Sequence, residues 1–299
     1  MNRIFADIRQ HTIVEPASLS SGVVFALPHS GRDYGSSFLN QSILDQISIR
    51  SSEDAFLDQL IDGIEKYGVP KIIANAPRAF IDLNRSTDEL DPALISGIKN
   101  NIRNPRIISG LGVIPRVVSH GKEIYRGKLS LEQAQSRIEY YWKPYHKDLS
   151  DLLKRAQSIF GQSLLIDLHS MPHEAVSTQS SYIKAPEIVV GDRFGMSSDP
   201  EFTNLIISIL KQHGFRVAKN TPFAGAFITK YHGKIKQRTH AIQLEIDRSL
   251  YMDEEQISLN SGFEKLRSQL FPALIQISSL ICKSCLLYTS PSPRDQRGS

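Results

Sequence analysis

The sequence predicts a single-domain, three-layer α/β/α sandwich around a mixed, largely parallel sheet. Two observations carry that expectation: short apolar runs rich in β-branched residues recur along the chain, and helical periodicities fall between them. A third is that the 299 residues hold no internal repeat and no Gly/Ser linker, so one core suffices.

The first run, "VVFAL" (23–27), passes straight into Pro28, His29, Ser30 and Gly31. A buried-strand pattern therefore ends in turn chemistry with a histidine inside it. Residues 53–66, "EDAFLDQLIDGIEK", place Leu57, Leu60, Ile61 and Ile64 on one helical face, with Gly68 closing the segment and Glu53 and Asp54 in its first turn. "KIIAN" (71–75) is the next strand, and the irregular stretch 86–128 is an excursion of the kind that builds the rim of a site. Residues 130–159 open on the capping pattern Ser130-x-x-Gln133, and Pro144 is expected to kink or divide that helix. "SLLIDLH" (163–169) and "EIVVG" (187–191) follow as strands. A helix over 200–213 is then capped by Ser198 or Asp199, led by Pro200 and ended by Gly214. "FRVAKN" (215–220) and "AIQLEID" (241–247) complete the sheet.

Composition excludes several classes. The basic residues behind a net charge of +4 are scattered, which argues against a nucleic-acid partner. No apolar run reaches the roughly 18 residues of a membrane span, and the N-terminus lacks a secretory pattern. Cys282 and Cys285 are the only cysteines, so a reducing, cytoplasmic setting is expected. Residues 285–299, Ser/Pro/Arg-rich and without period, read as a foreign or disordered tail, leaving 1–284 as the domain.

The chemistry gathers at strand ends. His29 and His169 both close buried strands, where ligands of open α/β sheets bind, and imidazole is a common zinc ligand. A third, acidic ligand could be Asp54, Glu53, Asp33 or Asp58, although acids at a helix start also answer its dipole. Asp167 could orient an imidazole from behind. In "AIQLEID" the apolar residues take one face and Gln243, Glu245 and Asp247 the other; on a central strand Glu245 would be a general base beside activated water. Arg78 and Arg85 flank an Asp-Leu-Asn turn, and Arg193 leaves a strand; each suits the carboxylate of an acidic small-molecule substrate, with a structural pair to Asp82 as the plain alternative for the first two. The loop 220–233 reads as a wall or lid, and His232 and His240 near it as structural. No nucleophile elbow, dinucleotide fingerprint or P-loop is present.

Taken in order, "PHSG" (28–31), "EDAFLDQL" (53–60), "PRAFIDLNR" (77–85), "YYWKPYH" (140–146), "IDLHSM" (166–171), "GDRFG" (191–195), "NTPFAGAFITKYHG" (220–233) and "AIQLEIDRSLYMDE" (241–254) resemble the N-formylglutamate amidohydrolase family. The resemblance implies a zinc carboxypeptidase-like fold and one zinc held by His29, Asp54 and His169. It also implies Glu245 as general base, Arg78 or Arg85 at the oxyanion, and Asn84 with Arg85 as the carboxylate clamp, with Arg193 and Asn220 also at the substrate. The implied reaction yields formate and L-glutamate from N-formyl-L-glutamate, a step of histidine breakdown, by a monomer or small homo-oligomer. After "DLNR" the sequence departs from the family pattern, which leaves the acyl amino acid open. The alternatives are an aspartoacylase- or carboxypeptidase-like hydrolase of another N-acyl amino acid, or a binding protein without catalysis on the same fold.

Overall fold

A computed structural model of the protein describes residues 5–98, 104–177 and 184–282. Seven strands form one sheet in the order β1-β3-β2-β4-β7-β5-β6. They are β1 (His11–Val14), β2 (Val23–Leu27), β3 (Lys71–Ala74), β4 (Ser163–Met171), β5 (Ile188–Gly191), β6 (Val217–Lys219) and β7 (Thr239–Asp247). β3, β2, β4 and β7 run parallel to one another; β1 pairs antiparallel to β3, and β5 antiparallel to β7. Four carboxyl ends therefore open on one edge of the sheet, and a crevice outside such an edge is where α/β sheets bind ligands.

Side chains alternate across the sheet, so each strand serves two layers. On one face Val23, Phe25, Leu27, Leu164, Ile166, Leu168, Ile242, Leu244 and Ile246 pack with Leu57, Leu60, Ile206, Leu270 and Leu274. On the other, Val24, Ala26, Ile72, Leu165 and Ala241 pack with Tyr145, Leu149, Leu152 and Leu153 of the helix Lys143–Phe160. The first face stays apolar to the strand ends. The second changes character: after Leu165 come Asp167 and His169, and after Ala241 come Gln243 and Glu245, all buried. That change places the polar site on one face only, above the carboxyl ends of β4 and β7.

Several expectations are corrected. Residues 53–66 are not one helix: a turn of helix at Leu57–Leu60 and a tighter one at Ile64–Tyr67 replace it, because Phe56 and Gly63 take left-handed backbone conformations. The four apolar residues are buried as expected, but Glu53 and Asp54 precede the helical turn. The helix at 130 begins with the expected capping box of Ser130 and Gln133. Its division comes a turn before Pro144, through a π-helical turn at Ile138–Trp142, and Pro144 lies in the first turn of the helix Lys143–Phe160, where its missing N–H costs nothing. Asp199 alone caps the helix Pro200–Gln212. β1 was not foreseen. Cys285 and the tail from 285 lie outside the described residues. Among the described residues no helix is long and apolar enough to cross a membrane.

Candidate active site

Beyond β2 the chain turns through Pro28 to His29 and then crosses the end of β3 at Gly31. A Cβ there would lie 2.1 Å from the Ala76 carbonyl oxygen, so only glycine permits the crossing. The turn holds the His29 ring, 2% exposed, against the sheet edge. The Asp54 N–H donates to the His29 carbonyl, which brings the loop before Leu57 to the same edge. His169 arrives from inside β4, directly beside Glu245 of β7 in the strand register.

Three atoms converge. His29 Nδ1 and His169 Nδ1 are 3.1 Å apart; Asp54 Oδ2 stands 3.1 Å from the second and 3.4 Å from the first. Among the described residues these are the side chains placed to share an ion. Tetrahedral zinc with nitrogen and oxygen ligands at about 2.1 Å separates its ligand atoms by about 3.4 Å, so the triangle fits such an ion. The donor chemistry agrees, with two imidazoles and one carboxylate.

Each ligand atom is held from behind. His29 Nε2 meets Asp82 Oδ1 at 2.8 Å. His169 Nε2 lies 3.3 Å from Asn84 Nδ2 and 3.0 Å from Asp167 Oδ2, the latter an ion pair too bent for a hydrogen bond. Asp54 Oδ1 accepts from Arg248 Nη2 at 3.0 Å and from Ser170 Oγ at 3.1 Å, and Arg248 Nε donates to Ser170 Oγ. Burial would raise the Asp54 carboxyl, but hydrogen bonds with His169 and His29 hold it well below the usual carboxylate range. The Asp82 carboxyl is likewise pushed up by burial and held well down by His29, Arg78 and Arg85. Burial opposes charge on His169, yet Asp167, Asp54 and Glu245 raise its pKa well above the ordinary imidazole value. So many buried carboxylates favour a positive charge at this point.

Glu245 is 7% exposed and accepts from Gln243 Nε2 at 2.6 Å. Burial pushes its carboxyl up to about 7; the carboxylates of Asp54 and Asp167 add to the rise, and His169 and Arg78 oppose it. A cleft of about 850 Å³ opens over these groups. Arg78, Asn84 and Arg85 line it, as does Asn220. Arg78 Nε donates to Asp82 Oδ2, and Arg85 donates to the carbonyls of Leu111 and Asn84. The Asn220 side chain is spent on Asp192, with Nδ2 donating to Oδ1 at 2.7 Å, so it fixes the loop more than it offers itself to a ligand. Arg193 is not brought to the cleft. Its N–H holds the Ala224 carbonyl, and Phe194 beside it lines the rim instead. The other candidate acids pair elsewhere: Asp33 with Arg9, Glu53 with Arg50, and Asp58 with Arg32.

A sequence model of the N-formylglutamate amidohydrolase family matches residues 21–252. The chain belongs to the N-formylglutamate amidohydrolase family. It is an amidohydrolase, and relatives span most of its length. The N-formylglutamate deformylase of Pseudomonas aeruginosa is 26% identical over 237 residues, 78% of this chain and 83% of that protein. That of Pseudomonas putida is 27% identical over 235 residues, 78% and 82% respectively. The crystal structure of N-formylglutamate amidohydrolase from Ralstonia eutropha shares the fold at a TM-score of 0.84 and 30% identity, covering 92% of this chain and 99% of that one.

For an N-formylglutamate amidohydrolase family member, the residues that sequence reasoning missed stand behind the ligands. Arg248 lies in "EIDRSLYMDE", directly after the glutamate strand, and Ser170 directly follows His169. Neither carries a spacing signal of its own. Asp82 pairs with Arg78, as its place in the turn suggests, and also holds His29, which the sequence does not signal.

Proposed function

We propose that this chain is a zinc-dependent hydrolase of N-formyl-L-glutamate, releasing formate and L-glutamate. The observation that supports it is the triangle of His29 Nδ1, His169 Nδ1 and Asp54 Oδ2 beside a buried glutamate, in a cleft lined by arginines. His29, His169 and Asp54 would hold the ion. Bound there, zinc supplies Lewis acidity toward water and toward a carbonyl oxygen.

The remaining chemistry falls to the chain itself. Glu245 takes a proton from the attacking water as the new C–O bond forms. It returns that proton to the amide nitrogen as the C–N bond breaks, which balances the hydrolysis without another donor. A carboxyl raised to about 7 suits both directions near neutral pH. Arg78 faces the carbonyl oxygen as it gains charge. Asn84 and Arg85 hold a substrate carboxylate. Asn220 stabilises the 220–226 wall through Asp192 rather than touching substrate.

Glu245→Gln tests the reading. It is expected to lower kcat by about 10²–10⁴-fold with one metal still bound. Near-normal turnover in that variant would remove Glu245 from the mechanism. One observation favours a second reading, another N-acyl amino acid as substrate. Leu111, Pro115, Val117 and Val118, from the stretch where the sequence departs from the family pattern, form a wall of the cleft. A panel of N-acyl amino acids scored for amine release separates the two.

A further inference from the structure

Asn84 and Arg85 occupy a turn, and a turn offers a clamp no rigidity of its own. Both backbone carbonyls flanking Asn84 are gripped from one helix. Trp142 Nε1 donates to the Arg85 carbonyl at 2.8 Å, and His146 Nε2 lies 2.9 Å from the Leu83 carbonyl. Trp142 closes the π-helical turn Ile138–Trp142, and His146 stands one turn further on. A π-helical turn is rare and offsets the faces of the helix on either side of it, and such turns cluster at functional sites. Here it sets an indole and an imidazole side by side, ring centres 4.0 Å apart, under the same turn.

The protons on these rings follow from the partners. A carbonyl only accepts, so His146 carries its proton on Nε2 and presents a bare Nδ1. His232 Nε2 is 3.0 Å from that Nδ1 and donates to it. His232 ends the helix Phe227–His232, and the same helix donates the Ile228 N–H to Asn84 Oδ1 at 2.8 Å. All three side chains are buried, with His146 and His232 at 3% exposure. Burial keeps His146 neutral, its pKa lowered to about 3.

We propose that Trp142 and His146 are positioning residues for the substrate-carboxylate clamp, holding Asn84 and Arg85 in register with the cleft through the two carbonyls beside them. The inference rests on the clamp assigned in the proposed function. Neither ring touches substrate. The bonds they make affect how well a carboxylate is held, equally in ground and transition states, so they act on KM rather than kcat.

Trp142→Phe keeps the ring and removes only the N–H. His146→Leu removes both ring contacts, and His146→Gln returns an N–H where Nε2 stood. Full-length variants are assayed with the best substrate from the N-acyl panel. Trp142→Phe and His146→Leu are expected to raise KM about tenfold, the size of one net hydrogen bond, with kcat within about threefold. His146→Gln recovers most of that KM, and metal content stays at the wild-type level. An unchanged KM in Trp142→Phe overturns the proposal. So does a fall in kcat alone that glutamine does not repair. Should wild type cleave none of the panel, the proposed function fails separately, and the indole still judges this inference. Trp142 is the only tryptophan in the chain, so its one indole N–H resonance reports the Arg85 carbonyl. Glutarate, the plain dicarboxylate, must then shift that resonance, and no shift overturns the inference.

Discussion

Each imidazole at the site divides its two nitrogens between two tasks. In His29 and His169 Nδ1 faces the shared point and Nε2 faces a supporting carboxylate, Asp82 and Asp167 respectively, so ring orientation is set from behind. Asp54 divides its oxygens in the same manner, Oδ2 forward and Oδ1 against Arg248 and Ser170. Arg248 is buried; it donates one bond to Asp54 Oδ1 and another to the Ser170 Oγ that itself donates to Asp54. Replacing it with methionine keeps the bulk and strips the support. Arg248→Met is expected to weaken zinc binding about 10–100-fold, read by competition with a chelator of known affinity. Unchanged affinity would mean that Asp54 is oriented without its arginine. At this scale the sequence was legible in the histidines and Glu245, which interrupt apolar runs. It was ambiguous among the acids, because Asp33 follows the His29 turn and Glu53, Asp54 and Asp58 cluster further on, and no local pattern tells that Asp54 meets the histidines while the others pair with Arg9, Arg50 and Arg32. Arg248 was illegible: an arginine after a strand is ordinary until the fold buries it.

At the scale of elements, short apolar runs located every strand that builds the site, since both faces of those strands are buried and one is apolar throughout. β1 escaped because "HTIV" is a short edge strand, half-buried and weakly patterned. The helix expected over 53–66 failed for a backbone reason: Phe56 and Gly63 at positive φ break it in two, and helical periodicity does not register such turns. The helix Lys143–Phe160 and the helix Phe227–His232 meet through His146 and His232, a contact with a pH signature. The folded pKa of His146 is about 3, from burial, against an unfolded value near 6.5. Protons therefore prefer the unfolded chain, so the stability this group contributes is complete above 6.5 and is lost as pH falls from there toward 3. Between pH 7 and pH 5 the loss amounts to about 2 kcal/mol. His146→Gln should lose about 2 kcal/mol less over that interval, measured by denaturant unfolding at the two pH values. Equal losses in both proteins would mean that His146 titrates normally when folded.

For the whole molecule, the decisive fact is how far apart in the chain the site's parts lie. His29 follows β2, Asp54 precedes the helical turn Leu57–Leu60, His169 lies in β4 and Glu245 in β7. Only the parallel arrangement of β2, β4 and β7 brings their carboxyl ends to one edge. An unfolded chain scatters these ligands and pays loop closure to gather them, so the proposed ion binds the folded state and almost not the unfolded one. Binding then adds directly to stability. At a free zinc concentration 1,000 times the dissociation constant the gain is about 4 kcal/mol, which raises the melting temperature on the order of 10 °C. Calorimetry on metal-stripped protein, repeated as zinc is restored, measures this shift. Asp54→Asn, which removes a charged ligand while keeping the side chain's shape, should abolish most of it. A melting temperature indifferent to zinc in the unmutated protein would show that the histidine–aspartate triangle holds protons rather than an ion, and the zinc-dependent mechanism would fall with it.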